Sequence, residues 1–221
     1  MMHSDIDLLR ELGRPGWEDL ARAFQTRIFA RKAPMFGPKE THDAVFIVTG
    51  GRARVYLAYD DKEFTLVILE RGDVYSTHTR AYVAALEETS ILISETVQIR
   101  KQLLRIPEFT GTMVRVLGEV LRHSLGIIDN LAFRDVENRL RCFLQFECSR
   151  TGVAQPDGGV LLDLGLTTEH LASMMGTTRQ TLSTIMNGLA RGHILEMRGR
   201  GTLFIPDPTA LTGEAGQQRS L

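Results

Sequence analysis

The sequence predicts an α+β fold in three sections: an N-terminal β jelly-roll barrel, one long helix and a C-terminal winged helix-turn-helix. Short apolar runs separated by turn signals fill residues 1–107, as expected for a β-sandwich or barrel. An apolar row at three- and four-residue spacing fills 108–132, which indicates a helix. Two capped helical segments and a basic hairpin lie within 133–221.

Composition limits the class of protein. The 221 residues are 43% hydrophobic, which is enough for one large domain or two small ones with real cores. A net charge of −1 excludes a general polyanion binder, so nucleic-acid affinity must come from local charge, and residues 178–201 hold four arginines and one glutamate. The two cysteines, Cys142 and Cys148, are poorly spaced for a mutual disulfide and fit a cytoplasmic setting. We expect no secretory signal and no membrane contact.

The first section is predicted to be mainly β after a short helix over residues 15–24. Turn signals occur at Gly50-Gly51, Asp60-Asp61 and 71–73. They separate the predicted strands, which cover residues 27–31, 44–48, 53–59, 64–69, 81–86, 90–95 and 96–99.

The second section, residues 108–132, is predicted to be one helix that begins after Pro107. Its apolar side follows a near-heptad pattern: Val114, Leu117, Leu121, Ser124, Ile128 and Leu131. Since nothing comparable lies elsewhere in the chain, this seam favours a homodimer through residues 108–132. Burial against the chain's own β section remains the alternative.

The third section begins with a predicted helix over residues 135–149, with Asp135 as its N-cap, and continues into a helix-turn-helix. Thr167 and Thr178 are the expected N-caps of its two helices, and Gly176 is the turn residue. Leu182, Ile185 and Leu189 are expected on the buried side of the second helix.

The exposed side of this second helix and the following hairpin point to double-stranded DNA. Arg179 and Gln180 are placed for base edges, and the hairpin between the predicted strands 194–197 and 202–205 carries two arginines for phosphates. A helical hairpin that binds nothing is the alternative. The predicted DNA-binding residues are Thr168, Thr178, Arg179, Gln180, Ser183, Thr184, Arg198 and Arg200.

The order of these sections resembles the CRP/FNR superfamily of bacterial transcription regulators. TRQT at residues 178–181 and NLAFRDVENRL at 130–140 are the most specific motifs. The resemblance implies a cyclic-nucleotide-binding-like barrel and a homodimer whose sensor domain, on binding an effector, reorients the DNA-binding domains. It also implies contact with RNA polymerase, and a regulator rather than an enzyme.

Three sensor branches of the superfamily differ in their residues. An FNR-type iron–sulfur sensor needs about four cysteines, which this chain lacks. A CRP-type cyclic-nucleotide sensor uses a Gly-Glu pair and an Arg-Ser/Thr pair; here no glutamate follows Gly72 in the expected place, and Arg80 is the only nearby cation. The third branch, the haem-based carbon monoxide sensors of the CooA type, is resembled at VFIVTGGRARVYL (45–57), GDVYSTH (72–78), VLGEVL (116–121), TRQTLST (178–184) and RGRG (198–201).

Resemblance to this third branch implies haem b as cofactor and carbon monoxide as effector. His78 carries over as an axial ligand of the haem iron, a role that suits a neutral imidazole. Ser76 stands where the family has a cysteine that ligates oxidised iron. The family's second ligand is an N-terminal proline nitrogen from the partner chain, but this chain begins Met1-Met2-His3, so the Met1 α-amino group or His3 is expected to replace it.

The distal side of the haem carries over to the long helix, at Val114, Leu117, Gly118 and Leu121. These residues donate no side-chain hydrogen bond, which suits carbon monoxide better than dioxygen. The same residues also fit a coiled-coil core, and the two roles are compatible. The implied mechanism is that carbon monoxide displaces the N-terminal ligand and the long helix then repositions the recognition helices.

Two alternatives stay open. One is the same regulator with another effector, such as nitric oxide, a cyclic nucleotide or a small organic ligand. The other is a cupin-like metalloenzyme, which would need two histidines one residue apart plus a further glutamate and histidine, a set that the β section does not supply.

Overall fold

The computed structural model describes residues 8–39, 43–103, 107–156 and 158–212. They divide into two compact units, with the boundary between Ile127 and Ile128. The candidate iron ligands Met1 and His3 lie outside the described residues. The three-section division drawn from the sequence stays a prediction.

The first unit is built on two antiparallel four-stranded sheets, as the α+β prediction requires, but they form a sandwich rather than a closed barrel. One sheet has the order β1-β8-β3-β6 and the other β2-β7-β4-β5. The strands are β1 (Gln25–Phe29), β2 (Pro34–Phe36), β3 (Ala44–Gly50), β4 (Ala53–Tyr59), β5 (Lys62–Leu69), β6 (Val74–Ser76), β7 (Tyr82–Ala85) and β8 (Thr89–Glu95). The helices of this part of the chain are α1 (Leu8–Leu12), α2 (Glu18–Arg22), α3 (Thr96–Leu103) and α4 (Pro107–Phe133).

Strand β3 is buried on both faces. Side chains alternate along a strand, so its successive residues pack against different neighbours. Phe46 faces the other sheet, where its ring stacks on that of Phe36 with centroids 5.1 Å apart. Ile47 points the opposite way and joins a second core cluster with Trp17 from the α2 region and Val116 of α4. The strand therefore connects the sandwich to the long helix.

The prediction of a strand over residues 96–99 is wrong: this segment opens helix α3. Val97 and Ile99 would lie on the same side of a strand, but Ile99 is buried while Val97 is 61% exposed, as helical geometry places them. The predicted helix over 15–24 is shorter than expected, Glu18–Arg22. Strands β2 and β6 were not predicted, since three residues give too little alternation to recognise.

Helix α4 confirms the predicted long helix and has two apolar sides. Val116 is buried in the first unit, and Val120 packs beside it. The other side is exposed and comprises Val114, Leu117, Leu121, Leu125, Ile128 and Leu131.

The second unit contains helices α5 (Val136–Thr151), α6 (Thr168–Met174) and α7 (Arg179–Arg191). Asp135 is the N-cap of α5, as predicted, and its carboxylate accepts a 2.8 Å hydrogen bond from the backbone N–H of Asn138. The wing belongs to a four-stranded sheet of order β11-β12-β10-β9. Only β11 and β12, which come last in the chain, were predicted from the sequence. The strands are β9 (Val153–Ala154), β10 (Val160–Asp163), β11 (Glu196–Met197) and β12 (Thr202–Ile205).

The turn between β3 and β4 generates a prediction about stability. Gly51 has φ +73°, and a Cβ there would lie 2.1 Å from the carbonyl oxygen of Glu88. Gly16 has φ +89° with nothing within 4 Å of the same position, so Gly16→Ala is a control for the backbone conformation alone. We expect Gly51→Ala to lower the free energy of unfolding by about 1–3 kcal/mol more than the control, because backbone must also move. Urea unfolding followed by Trp17 fluorescence measures this, and equal midpoints would contradict it.

Candidate DNA-binding surface and effector site

The helix-turn-helix has the predicted caps and turn. Thr167 Oγ1 accepts a hydrogen bond from the backbone N–H of His170 at the start of α6. Thr178 Oγ1 accepts one of 3.2 Å from the N–H of Thr181 at the start of α7. Gly176 has φ +63° in the turn between them. These local bonds fix the direction in which α7 leaves the turn.

Helix α7 presents a buried and a polar side. Leu182, Met186 and Leu189 are buried. Ile185, which was expected among them, is only partly buried, because the helical repeat places Met186 on that face instead.

The residues predicted to read DNA occupy the polar side of α7 and the start of α6. Arg179, Gln180 and Thr184 are exposed, whereas Ser183 and Thr168 are partly buried. Thr184 also lines an open concavity that the sequence analysis did not identify, together with Asn187, Ala190 and Arg191. Ala190 and Arg191 lie three and four residues after Asn187, and Thr184 lies three residues before it, on one face of the helix, and this spacing was the available signal.

Two of the three predicted arginines are free of ion pairs within the described residues. Arg179 and Arg200 make none there, whereas Arg198 Nη2 lies 3.1 Å from Glu196 Oε2. The Arg198 guanidinium also lies over the Phe204 ring, 3.9 Å from its centroid. Arg200 is therefore the wing cation that is available to a phosphate.

The wing turn packs closely against the segment that precedes α6. Gly201 has φ +77°, and a Cβ there would lie 2.8 Å from the carbonyl oxygen of Leu166. The N–H of Leu164 donates to the Gly201 carbonyl at 2.9 Å. The position of the wing is thus fixed relative to the helix-turn-helix within this unit.

His78 lies on a single 3₁₀ turn, Thr77–Thr79, that directly follows β6. Thr77 is buried, and its Oγ1 accepts a 2.8 Å hydrogen bond from the N–H of Ala44, while Arg80 ends the turn with φ +56°. Burial of Thr77 directs the next side chain outward, and the His78 side chain is 47% exposed.

Both ring nitrogens of His78 have polar neighbours. Nδ1 is 2.7 Å from Ser76 Oγ, and Nε2 is 3.2 Å from Asp43 Oδ2. Asp43 Oδ1 in turn lies 3.4 Å from Arg80 Nη2. Asp43 was not predicted from the sequence, because only the pairing of β3 with β6, which sets Val45 opposite Ser76, brings it near His78.

The residues expected to cap the haem lie on the exposed side of α4. Val114, Leu117 and Leu121 are each more than 60% exposed in the single chain, and a Cβ at Gly118 would meet nothing within 4 Å. An outward imidazole and an open apolar helix face in the same unit fit the needs of haem, which are an axial nitrogen and an apolar cover for a flat macrocycle.

Other ligand chemistries find less support at this turn. Within residues 8–39, 43–103, 107–156 and 158–212, no three His, Cys, Asp or Glu side chains gather as a cupin-like metal site would require. Asp73 is buried, and its Oδ2 accepts a 2.8 Å hydrogen bond from the Glu70 N–H, so this carboxylate closes its own turn.

A histidine on α4 contacts the β-sandwich. His123 Nε2 is 3.3 Å from the carbonyl oxygen of Leu66 on β5. Burial lowers the pKa of His123 below its ordinary value. A neutral imidazole therefore joins α4 to the second sheet.

No helix in the described part of the chain is long and apolar enough to cross a membrane.

Comparison with known proteins agrees with this architecture. The family described as "Crp-like helix-turn-helix domain" matches residues 138–213. A double mutant of CooA from Carboxydothermus hydrogenoformans is 41% identical, with 94% of each chain covered and a TM-score of 0.86. The global nitrogen regulator of Synechococcus elongatus is 26% identical over 92% of this chain and 94% of its own length. The cyclic AMP receptor protein of Thermus thermophilus is 24% identical over 87% and 89%, respectively. The chain therefore belongs to the CRP/FNR superfamily of DNA-binding transcription regulators.

Proposed function

We propose that this regulator is a cytoplasmic, haem-dependent sensor of carbon monoxide that binds palindromic DNA as a homodimer. The observation that carries the proposal is the outward His78 imidazole beside β6, in a chain 41% identical to a CooA along nearly its whole length. The relatives named for nitrogen regulation and cyclic AMP are more distant, at 26% and 24% identity. Nitric oxide, a cyclic nucleotide or a small organic ligand is the alternative effector.

His78 is the residue that holds the haem in this proposal, through the lone pair of Nε2. When bound, haem b would supply an iron centre that binds carbon monoxide. The Met1 α-amino group or His3, both outside the described residues, would supply the second iron ligand. Val114, Leu117, Gly118 and Leu121 would cover the bound haem without a side-chain hydrogen-bond donor, which would favour carbon monoxide over dioxygen.

The exposed side of α4 supports the homodimer. Residues 114, 121 and 128, and 117, 124 and 131, recur at seven-residue intervals, and five of these six side chains are large and apolar. A soluble chain seldom leaves such a row in water. A second α4 presents the same row and matches it by two-fold symmetry, so a second copy of this chain is the occupant we propose.

DNA readout follows from the polar side of α7 and from the wing. Arg179 and Gln180 reach base edges near the start of the recognition helix, and Ser183 and Thr184 follow on the next turn. Thr168, Thr178, Arg198 and Arg200 hold the backbone, with Arg200 as the available wing cation. RNA polymerase is the further partner that we propose for the DNA-bound dimer.

Helix α4 couples these functions, because it holds the dimer and covers the effector site with the same residues. Carbon monoxide can switch the dimer only if it binds the DNA-competent arrangement better than the resting one. A change in the packing of Leu117 and Leu121 is the contact difference that the chain offers for this purpose.

Removal of the axial imidazole is expected to change the haem spectrum. His78→Ala should shift the ferrous Soret band away from the position typical of a six-coordinate low-spin haem. It should also weaken the change in the spectrum on addition of carbon monoxide. His193→Asn is the control, because His193 lies in the second unit and asparagine tolerates its φ of +56°. Absorption spectra of both variants measure this, and an unchanged His78→Ala spectrum would remove His78 from the site. If the wild-type protein binds no haem, an alternative effector replaces the proposal.

Shortening one seam residue is expected to alter two observables together. A Leu→Ala change in a packed core costs about 2–5 kcal/mol, and Leu121 occurs twice in a dimer. Leu121→Ala should loosen dimerisation, change carbon monoxide binding and reduce its effect on DNA binding. Leu57→Ala is the control, since Leu57 is a 50% exposed leucine on β4 and is not a seam residue. Sedimentation, Soret titration and DNA-binding anisotropy on the same samples test this. If carbon monoxide still changed the DNA affinity of Leu121→Ala fully, α4 would serve dimerisation only.

Arg179 and Arg200 are expected to contact different parts of the DNA. Arg179→Ala should cost about 1–3 kcal/mol on the specific operator and relax preference at one base position of each half-site. Arg200→Ala should weaken binding to all sequences alike and flatten the salt dependence. Anisotropy titrations on specific and random duplexes at several salt concentrations separate these effects. An equal loss on both duplexes for Arg179→Ala would make it a phosphate contact.

A further inference from the structure

The neighbours of His78 define which of its nitrogens carries hydrogen in the unloaded chain. An ionised carboxylate only accepts hydrogen bonds, so Asp43, 3.2 Å from Nε2, faces an Nε2–H. In the neutral ring Nδ1 is then an acceptor, and the Ser76 hydroxyl, 2.7 Å away, donates to it. This arrangement leaves Nε2 without a lone pair for a metal.

Binding iron through Nε2 requires the opposite tautomer. The hydrogen must then be on Nδ1, and the group beside Nδ1 must accept it. A serine hydroxyl can donate or accept after rotation about its C–O bond, so Ser76 suits both tautomers without moving its Oγ. Asp43 suits only the first, since it occupies the nitrogen that iron needs.

We propose that Ser76 is a positioning residue that keeps its hydrogen bond to Nδ1 of His78 while Nε2 is exchanged from Asp43 to the haem iron. The inference rests on the proposed function, because it assigns His78 as the iron ligand. It gives Ser76 a role of its own in place of the family's cysteine. It also makes Asp43 a competitor of the iron rather than a support for it.

Two features of the turn favour this exchange. Ser76 is the N-cap of the 3₁₀ turn, and its Oγ also lies 3.4 Å from the His78 backbone N–H, so the hydroxyl is held at the base of the ring. Asp43 has a second partner, Arg80, at 3.4 Å, which stabilises the carboxylate after Nε2 leaves it. The ring therefore turns about a fixed hydrogen bond.

Substitutions of Ser76 and Asp43 are expected to have opposite effects on haem binding. Ser76→Ala removes the acceptor for Nδ1–H, and loss of such an outer partner costs about tenfold in metal affinity, so haem release to apomyoglobin should be about tenfold faster. The midpoint potential of the haem should rise, since the imidazole becomes a weaker donor. Ser76→Thr keeps the hydroxyl and should restore both. Asp43→Ala should load haem faster than wild type and release it no faster.

Histidine nitrogen NMR on the full-length chain tests the hydrogen bonds directly. In the haem-free protein we expect His78 to carry hydrogen on Nε2, and in the diamagnetic ferrous carbon monoxide form on Nδ1. The Nδ1 hydrogen should exchange slowly with solvent in wild type and Ser76→Thr, and quickly in Ser76→Ala.

The outcomes separate this inference from the function on which it rests. If wild type binds haem through His78 but Asp43→Ala releases haem faster while Ser76→Ala does not, then Asp43 is the support and the proposal is overturned. Haem-free wild type with hydrogen on Nδ1 also overturns it. If wild type binds no haem at all, the proposed function fails as well, and the absence of a Soret band identifies that case.

Discussion

The structure depends on one helix that must satisfy apolar contacts on two sides. Val116 and Val120 lie on one side of α4 and complete the core behind β3, while Leu117 and Leu121 lie on the other side and stay exposed in the single chain. The helical repeat makes both sides unavoidable once the sequence is apolar at these spacings. Whatever covers the outer side therefore contacts a helix that is already packed against the β-sandwich.

The DNA-binding unit is organised so that its recognition parts are fixed before any DNA is present. Threonine hydroxyls cap α6 and α7, Gly201 brings the wing turn against Leu166, and Arg198 stays over Phe204. A preformed surface loses less conformational entropy on binding, which leaves more of the contact energy for affinity. In the proposed homodimer, an effector therefore acts by placing two such units correctly, because the recognition parts within each unit are already fixed.

Local signals made most of this architecture predictable, and long-range pairing accounts for what was missed. The caps at Asp135 and Thr178 and the limits of α4 follow from neighbouring residues, and so they were found. The segment 96–99 was assigned to a strand because its alternation is only four residues long and fits either structure. Asp43 could not be found, since its approach to His78 depends on the register of β3 against β6. The proposed roles of the site residues come from resemblance to the family, and the structure adds the neighbours of those residues.

The polar groups around the β6 turn bear on the choice of effector in the proposed function. Asp73 is bonded to the Glu70 N–H, Arg80 faces Asp43, and the Tyr75 hydroxyl donates to Thr79 Oγ1 at 2.9 Å. A cyclic nucleotide would have to draw its phosphate and ribose contacts from groups that already have partners, and each exchange returns little net energy. A ligand that needs one imidazole nitrogen and apolar walls meets no such competition, apart from the single contact between Nε2 and Asp43. These partners thus support the proposed function, in which the effector is apolar and is held through a metal rather than by hydrogen bonds.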